Sequence, residues 1–322
     1  MEVHKNVDRS PLTVHRAPSS NPVFRRIPAR SGLLGYLDPH SVLSTLLSIR
    51  NPKSEIRNGN VPHSAFRIPH LICLLLSLAL SACSPAPYTG RQQLILVSDD
   101  QLNAIGLKSY QKILNESKLS HNEAIVSMVR RAGLAVAQAA NRPDYNWEFN
   151  VIDNAEVANA FALPGGKVAV YTGILPYTQT ENGMAAVISH EVAHVIANHG
   201  AERMSQNLLA QLGQIGLNIV LREQGPLAVE AAQLAYGVGT QVGFILPFSR
   251  KEELEADRIG LILMAQAGYD PTGAIDFWQR MSKSGKDKVP VFLSTHPTDE
   301  ARIGNIKTYL PEALGHYQQK LD

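Results

Sequence analysis

One segment constrains the fold more than any other. From Met184 to Asn198 nearly every side chain is apolar, yet the centre of the segment is His-Glu-Val-Ala-His. Residues four apart on an α-helix leave the same face about one turn apart, so His190 and His194 point in one direction, with Glu191 beside them. Burying two imidazoles and a carboxylate costs on the order of several kcal/mol unless the groups are paired or bind a metal. The spacing therefore favours a buried divalent-metal site over a pair of hydrogen-bonded core histidines.

A catalytic zinc site requires three protein ligands and one open position, so a third ligand must come from elsewhere. His199 is a poor candidate, because on a continued helix it lies about 140° away from the ligand face. Gly200 follows it, and we interpret His199 as a residue at the C-terminus of the helix, where the helix dipole favours it. A second polar cluster lies near position 255, and we expect Glu252 and Glu255 of that cluster to face solvent.

The other two acidic residues of this cluster, Glu253 and Asp257, are four positions apart and share one face of a helix. Ser249 is predicted to begin that helix with a capping box. We predict that Glu253 is the third metal ligand. Asp257 would then accept a hydrogen bond from the far N–H of a metal-bound histidine, most simply His190.

The apolar patterns of the remaining chain indicate a small sheet followed by helices. Helices are predicted at about 98–116 and 121–140, then a strand at 147–152 and a hairpin around Pro164-Gly165-Gly166. Further helices are predicted at 182–199, 202–221, 227–243, 250–267 and 271–282, and at 298–318 in two pieces separated at Pro311. The expected fold class is α+β, mainly helical, with a small mixed sheet beside the HExxH helix.

The amino-terminal third has the features of a targeting signal. Leu71 to Ala82 are twelve uncharged residues, too few for a membrane-spanning helix, which needs about 20. Arg67 precedes them, and small residues lead to Cys83, as in the lipobox of bacterial lipoproteins. We predict that residues 61–82 are a lipoprotein signal peptide and that Cys83 is lipidated. The alternative is a cysteine that merely follows a buried segment.

The domain boundaries follow from this signal. Residues 1–60 are rich in proline, serine and arginine, so we predict a non-structural extension and expect translation to begin near Val61. A mitochondrial transit peptide is the rival interpretation. Residues 83–97 are predicted to be a tether and residues 98–322 the folded domain. Ser84 stands where inner-membrane lipoproteins of bacteria carry Asp, which favours the outer membrane and a domain facing the periplasm.

Composition excludes several classes of protein. Residues 83–322 contain 20 Lys or Arg and 24 Asp or Glu, so they offer no basic stripe for a phosphate backbone and nucleic-acid binding is not expected. The two cysteines, Cys73 and Cys83, exclude a disulfide scaffold and a thiolate zinc finger in the rest of the chain. The later apolar stretches, 208–221 and 238–248, are short or interrupted, so no second membrane span is predicted.

HExxH followed by ExxxD resembles the HtpX-like, Ste-type and Oma-type zinc metallopeptidases, metallopeptidase family forty-eight. The similarity is greatest to the lipid-anchored branch with the Oma-type, BepA-type and LoiP-type peptidases. It extends over about residues 88–310 and includes Thr89-Gly90-Arg91, Asn159-Ala160-Phe161, Pro164-Gly165-Gly166 and Ser294-Thr295-His296-Pro297. The membrane-spanning helices of HtpX-type members and the helical-repeat tail of BepA-type members have no counterpart in this sequence.

The resemblance implies a gluzincin-like zincin fold with one Zn²⁺ per chain, held by His190, His194 and Glu253. Glu191 is then the general base. The resemblance also places His296 near the metal, either at the open ligand position or as a donor to the oxyanion. Pro297 disfavours the helical conformation at His296 and so holds this side chain in one direction.

The implied function is a zinc-dependent endopeptidase that cleaves unfolded or misassembled proteins in envelope quality control. The alternatives are a lipid-anchored chaperone or assembly factor with little activity, and a small-molecule hydrolase, which no feature favours. Expected partners are extended polypeptide and, through Cys83, a membrane. One strand is expected either to pair with substrate as an added strand or to lie inside the sheet; its residues are Lys167, Val168, Ala169, Val170 and Tyr171. The sequence does not determine the oligomeric state.

Overall fold

The structure, a computed structural model, describes residues 83–284, 290–297 and 300–321, and all of them belong to one compact unit. The predicted extension at 1–60 and the predicted signal peptide at 61–82 lie outside the described residues. Among the residues described, no helix is long and apolar enough to cross a membrane.

Helices dominate the described chain, and a three-stranded sheet lies near its middle, which confirms the α+β class. The strands are β1 (Cys83–Pro85), β2 (Gln92–Leu94), β3 (Glu148–Ile152), β4 (Ala160–Leu163) and β5 (Lys167–Tyr171). The helices are α1 (Asp99–Asn115), α2 (Glu123–Ala140), α3 (Leu175–Thr178), α4 (Glu181–Ile196), α5 (His199–Leu221), α6 (Pro226–Thr240), α7 (Leu246–Gln266), α8 (Thr272–Lys283), α9 (Val291–Thr295) and α10 (Glu300–Leu321).

Local sequence signals account for the first helices. Ser98 caps α1, and the capping box with Gln101 is complete. Asn122 caps α2, which ends at Asn141 in the left-handed conformation that asparagine tolerates. α2 then packs its apolar face against α4 and β3.

The main sheet has the strand order β3-β5-β4, with β3 parallel to β5 and β4 antiparallel to it. The hairpin between β4 and β5 turns at Gly165 and Gly166, both at φ +80, a backbone conformation that residues other than glycine rarely adopt. Because β5 is hydrogen-bonded on both edges, it has no free edge for another strand.

The expectation that β5 pairs with substrate as an added strand is therefore wrong. The alternative, that this strand lies inside the sheet, is right. The five residues concerned all lie in this central strand: Lys167, Val168, Ala169, Val170 and Tyr171. The ammonium group of Lys167 donates to Glu148 Oε1 of β3 at 2.6 Å, so this buried side chain is also already paired. Within the described residues β4 pairs with β5 along one edge only, so β4 is an edge strand of the sheet.

The core is built around α4, whose residues are buried on nearly every side and which packs against α2, α7 and α8. α4 and α7 approach closely because α7 carries Gly260 at the crossing, where an added Cβ would lie 3.1 Å from the His190 backbone. This contact places the beginning of α7 beside the polar groups of α4.

Three predicted helix boundaries need correction. α4 ends at Ile196, and the left-handed Asn198, at φ 56, turns the chain into α5 at His199. α7 begins at Leu246 rather than at Ser249, directly after a π-helical turn. α10 runs through Pro311 without a break, because Ile306 and Ala313 on either side of the proline are buried in the core and hold the helix together.

Most of the segment predicted to be a tether, residues 83–97, forms ordered structure. β1 and β2 pair antiparallel, with Cys83 opposite Leu94, and we call residues 83–94 the amino-terminal ribbon. Gln93 of the ribbon is buried, and its amide donates to Ala197 O at 2.6 Å and to Glu202 at 3.0 Å. The ribbon is thus packed on the helical part of the chain.

Candidate active site

The structure brings the three predicted metal ligands together. His190 Nε2 and His194 Nε2 are 3.2 Å apart, and the two oxygens of Glu253 lie 3.4 Å from one imidazole nitrogen each. Zinc bonds to nitrogen and oxygen are about 2.0–2.1 Å long, so two ligand atoms of a tetrahedral site are about 3.3–3.4 Å apart. The three side chains therefore fit one zinc-sized cation.

His296, from the end of α9, lies beside these three ligands. Its Nδ1 is 3.2 Å from His190 Nε2 and 3.0 Å from Glu253 Oε2, and the four ligand atoms all lie within 4.8 Å of one another. Its Nε2 is 3.2 Å from Glu191 Oε1. His296 thus stands at the fourth position of the ligand set and between that set and Glu191.

Glu191 is buried beside the ligands and beside the edge strand. Burial raises the pKa of this carboxyl, while His296, His190 and the backbone N–H of Ala162 in β4 oppose the rise. A buried carboxylate with a raised pKa can take a proton and return it near neutral pH. Its position is thus suited to general acid–base chemistry next to the ligand set.

The far side of His190 is held by Asp257, as the helical spacing predicts. His190 Nδ1 lies 3.1 Å from Asp257 Oδ1. Burial would raise the pKa of Asp257, yet Arg302 and His190 hold it below its usual value. Asp257 and Glu253 in turn raise the pKa of His190 to about 9, against the effect of burial. The site is therefore negatively polarised, which favours a bound cation.

Arg302 of α10 is a site residue that the sequence analysis missed. It donates from Nε to Asp257 Oδ2 at 2.7 Å and from Nη2 to Oδ1 at 2.8 Å. Its guanidinium carbon lies 3.8 Å from the centre of the Trp278 ring, and Nη2 is 3.3 Å from Glu253 Oε2. No pattern marks this arginine, because its helix is polar and its two carboxylate partners lie more than 40 positions earlier.

The far side of His194 is held differently. His199 Nδ1 lies 2.8 Å from His194 Nδ1, and His199 Nε2 lies 3.0 Å from Glu255 Oε2. The interpretation of His199 as a residue at a helix C-terminus is wrong, since it is buried and begins α5. The five-residue spacing misleads because the turn at Asn198 separates α4 from α5.

Glu252 and Glu255 do not face solvent as expected. Glu252 is 0% exposed and forms an ion pair with Arg203. Glu255 is 7% exposed and accepts from His199 and from Arg91 of the amino-terminal ribbon. The acidic cluster is buried on both faces because basic partners from two other segments of the chain surround it.

The protonation states of His194 and Glu253 suit a bound cation. Burial depresses the pKa of His194 well below its usual value, which keeps the imidazole neutral. Burial acts in the opposite sense on Glu253, but His296 and His194 hold its pKa well below the usual range, which keeps it ionised. A neutral imidazole and an ionised carboxylate are the forms that bind a metal.

Comparison with known proteins agrees with this geometry. Fold and site together indicate a metal-dependent peptidase, and a profile described as peptidase family M48 matches residues 125–310, more than half of the chain. The chain therefore belongs to peptidase family M48.

Similar proteins come from mitochondria and from bacteria. The mitochondrial metalloendopeptidase OMA1 of Schizosaccharomyces pombe is 36% identical over 232 residues, covering 70% of this chain and 66% of its own length. OMA1 of Saccharomyces cerevisiae is 31% identical over 272 residues, 76% of either chain. The beta-barrel assembly-enhancing protease of Escherichia coli is 29% identical over 203 residues, 61% of this chain and 41% of its own length. The chain thus spans between two fifths and three quarters of these relatives.

Proposed function

We propose that this protein is a zinc-dependent endopeptidase. The observation that carries the proposal is the triangle of His190 Nε2, His194 Nε2 and the Glu253 carboxylate, with edges of 3.2 to 3.4 Å, next to the buried Glu191. The family supports a metal-dependent peptidase. The choice of zinc rests on the donor set, since two imidazoles and one carboxylate are a usual catalytic zinc site.

His190, His194 and Glu253 would hold the zinc ion, which when bound acts as a Lewis acid and lowers the pKa of water towards about 7. Glu191 takes the proton of the attacking water and passes it to the leaving amine. Asp257 and Arg302 keep His190 in the orientation that points Nε2 at the other ligands.

His296 lies at the fourth ligand position, where the reaction needs room. We propose that His296 Nδ1 withdraws from the ligand set when substrate enters. Its Nε2, 3.2 Å from Glu191 Oε1, then lies within reach of the developing oxyanion. His296 directly follows the five-residue helix α9, so its movement does not require a long helix to shift.

We propose β4 as the strand along which substrate lies. It is an edge strand within the described residues, and the N–H of Ala162 reaches the Glu191 carboxylate. An edge strand recognises extended backbone through main-chain hydrogen bonds, so the substrate class is unfolded or misassembled polypeptide.

The proposed cellular role is protein quality control in a bacterial envelope. Cys83 is exposed and begins the amino-terminal ribbon, so a lipid attached there would anchor the domain to a membrane. The proposed membrane is the outer membrane, with the domain in the periplasm. The bacterial relative is named for β-barrel assembly, which agrees with this role. The alternative is a mitochondrial protein, which the OMA1 relatives favour.

The decisive experiment is metal analysis of the purified protein combined with digestion of a denatured protein such as casein. We expect one zinc ion per chain, cleavage that a chelator abolishes, and recovery on adding zinc. A protein that binds zinc and prevents casein aggregation but cuts nothing would instead establish the alternative, a chaperone or assembly factor. Mass determination of the membrane-extracted protein tests lipidation at Cys83.

A further inference from the structure

A continuous chain of polar contacts runs from His194 to the amino-terminal ribbon. It passes from His194 Nδ1 to His199 Nδ1 at 2.8 Å, and from His199 Nε2 to Glu255 Oε2 at 3.0 Å. Glu255 then accepts from Arg91 Nε at 2.8 Å and from the hydroxyl of Thr89. These contacts thus connect α4, α5, α7 and the ribbon. They link His194 to residues that lie more than 100 positions earlier in the sequence.

The positions of the protons along this chain follow from the geometry. His194 Nε2 faces the ligand set, so its proton lies on Nδ1, which donates to His199 Nδ1. His199 must then carry its own proton on Nε2, where it donates to the Glu255 carboxylate. Each imidazole has one donor and one acceptor in use, and a carboxylate terminates the chain. In the neutral imidazole this order leaves Nε2 of His194 free of hydrogen and turned towards the ligands.

Arg91 of the ribbon balances the negative charge of Glu255, at the far end of the chain of contacts, and of the neighbouring Glu202. Arg91 donates from Nη1 and Nη2 to Glu202 at 2.8 and 2.6 Å in addition to its bond to Glu255, so one guanidinium serves two buried carboxylates. Gln93 ties the same segment to Glu202 and to Ala197 O, one residue beyond α4. Without the ribbon both carboxylates would be buried with less compensation, which is unfavourable.

We propose that His199 is a positioning residue for His194, and that docking of the ribbon through Arg91 is part of forming the metal site. The inference rests on the zinc site proposed above. It extends that site from four side chains to a chain of contacts that reaches to within eight residues of Cys83. Any event that lifts the ribbon from the domain then weakens the hold on the metal without touching a ligand.

The test measures zinc affinity of the full chain by competition with a chelator of known affinity, together with the thermal stability of the metal-free protein. Partners of this kind typically contribute 10- to 100-fold to metal affinity. We expect His199→Leu to weaken zinc binding by about this factor and Arg91→Gln by about tenfold. His199→Gln keeps an acceptor and a donor and should restore part of the affinity.

The chain offers a matched control for the ribbon arginine. Arg142 is 23% exposed against 22% for Arg91 and also binds a carboxylate, Asp144, through two nitrogens, but it lies outside the chain of contacts. Arg142→Gln should leave zinc affinity unchanged. The absorption bands of the cobalt-substituted protein should change with His199→Leu and Arg91→Gln and stay as in the wild type with Arg142→Gln.

The outcomes separate the two proposals. If the wild type binds no zinc, both fail. If the wild type binds zinc and His199→Leu and Arg91→Gln bind it equally well, only the present inference fails. Should His199→Leu not fold, Arg91→Gln against Arg142→Gln decides: equal zinc affinities overturn the inference and a selective loss at Arg91 supports it. A merely structural role for Arg91 would lower the stability of the metal-free protein and leave the zinc affinity and the cobalt spectrum unchanged.

Discussion

The two metal-site imidazoles are supported by different regions of the molecule. His190 contacts a carboxylate directly, since Asp257 lies 3.1 Å from its Nδ1 and is held by the buried Arg302. His194 reaches a carboxylate only through a second imidazole, His199. The first support is made by α4, α7 and α10 inside the core. The second extends to the amino-terminal ribbon at the surface.

The comparison shows that the nitrogen of a ligand histidine that faces away from the metal site can be held either by residues of the core or by a peripheral segment. Arg302 is 5% exposed, so loss of its charge leaves the ionised Asp257 in the core with His190 as its remaining partner. The side chain of Arg91 is 22% exposed, and water compensates part of its loss. The core support should therefore govern the stability of the fold, and the peripheral support should tune the metal site.

The largest effect is expected at Glu191, which neither support contacts. Glu191→Gln keeps the shape and the ligand set but cannot accept a proton, and general-base catalysis contributes about 10²- to 10⁴-fold. The rate of casein cleavage should fall by this factor while the zinc content stays at one per chain. Undiminished cleavage would rule out the proposed role, and loss of zinc would show that Glu191 belongs to the metal supports after all.

The next effect tests the core support. Arg302→Met leaves Asp257 buried without its main partner and should lower the free energy of unfolding by about 3–5 kcal/mol, measured by urea denaturation of the metal-free protein. Arg258→Met is the matched control, because Arg258 of α7 binds Glu312 of α10 at 2.8 Å through two nitrogens but is one third exposed. We expect a loss of at most about 1 kcal/mol there. Similar losses at both positions would contradict the distinction between core and surface.

The two carboxylates allow a direct comparison of the supports. Asp257→Asn removes the charge that contacts His190 itself and should weaken zinc binding by about 10- to 100-fold. Glu255→Gln acts on His194 only through His199, so its effect on zinc affinity should be smaller. Equal effects, measured by chelator competition, would mean that the intervening imidazole transmits the loss in full.

The smallest effect concerns the approach of the helices that carry the ligands. Gly260→Ala adds a Cβ about 3.1 Å from the His190 backbone, which must push α7 away from α4 and should cost about 1–3 kcal/mol of stability. Gly304→Ala in α10 meets no atom within 4 Å and should stabilise the helix by about 0.5–1 kcal/mol. Thermal denaturation compares the two, and a Gly260→Ala protein as stable as the wild type would show that the crossing has room to spare.

Much of the helical framework could be predicted from the sequence, because it depends on periodicity and capping within one segment. The apolar run from Met184 to Asn198 predicts a buried helix, and the four-residue spacings place His190 with His194 and Glu253 with Asp257. Prediction was wrong where the chain departs from one regular helix. Examples are the turn at Asn198 and the uninterrupted passage of α10 through Pro311.

What the sequence by itself determined, then, is which side chains share a face: the two ligand histidines with their glutamate, and the acidic pair one turn apart. Only the tertiary structure decided which faces meet. It placed Arg302 against Asp257, carried the contacts of His194 through His199 and Glu255 to Arg91, and made β4 rather than β5 the edge strand. The physical reason is that side-chain periodicity acts over a few residues within one helix. The step from His194 to His199 crosses a turn between two helices, and the other side-chain contacts join segments 45 to 164 positions apart. Such segments come together only when the apolar surfaces of several helices are buried at once.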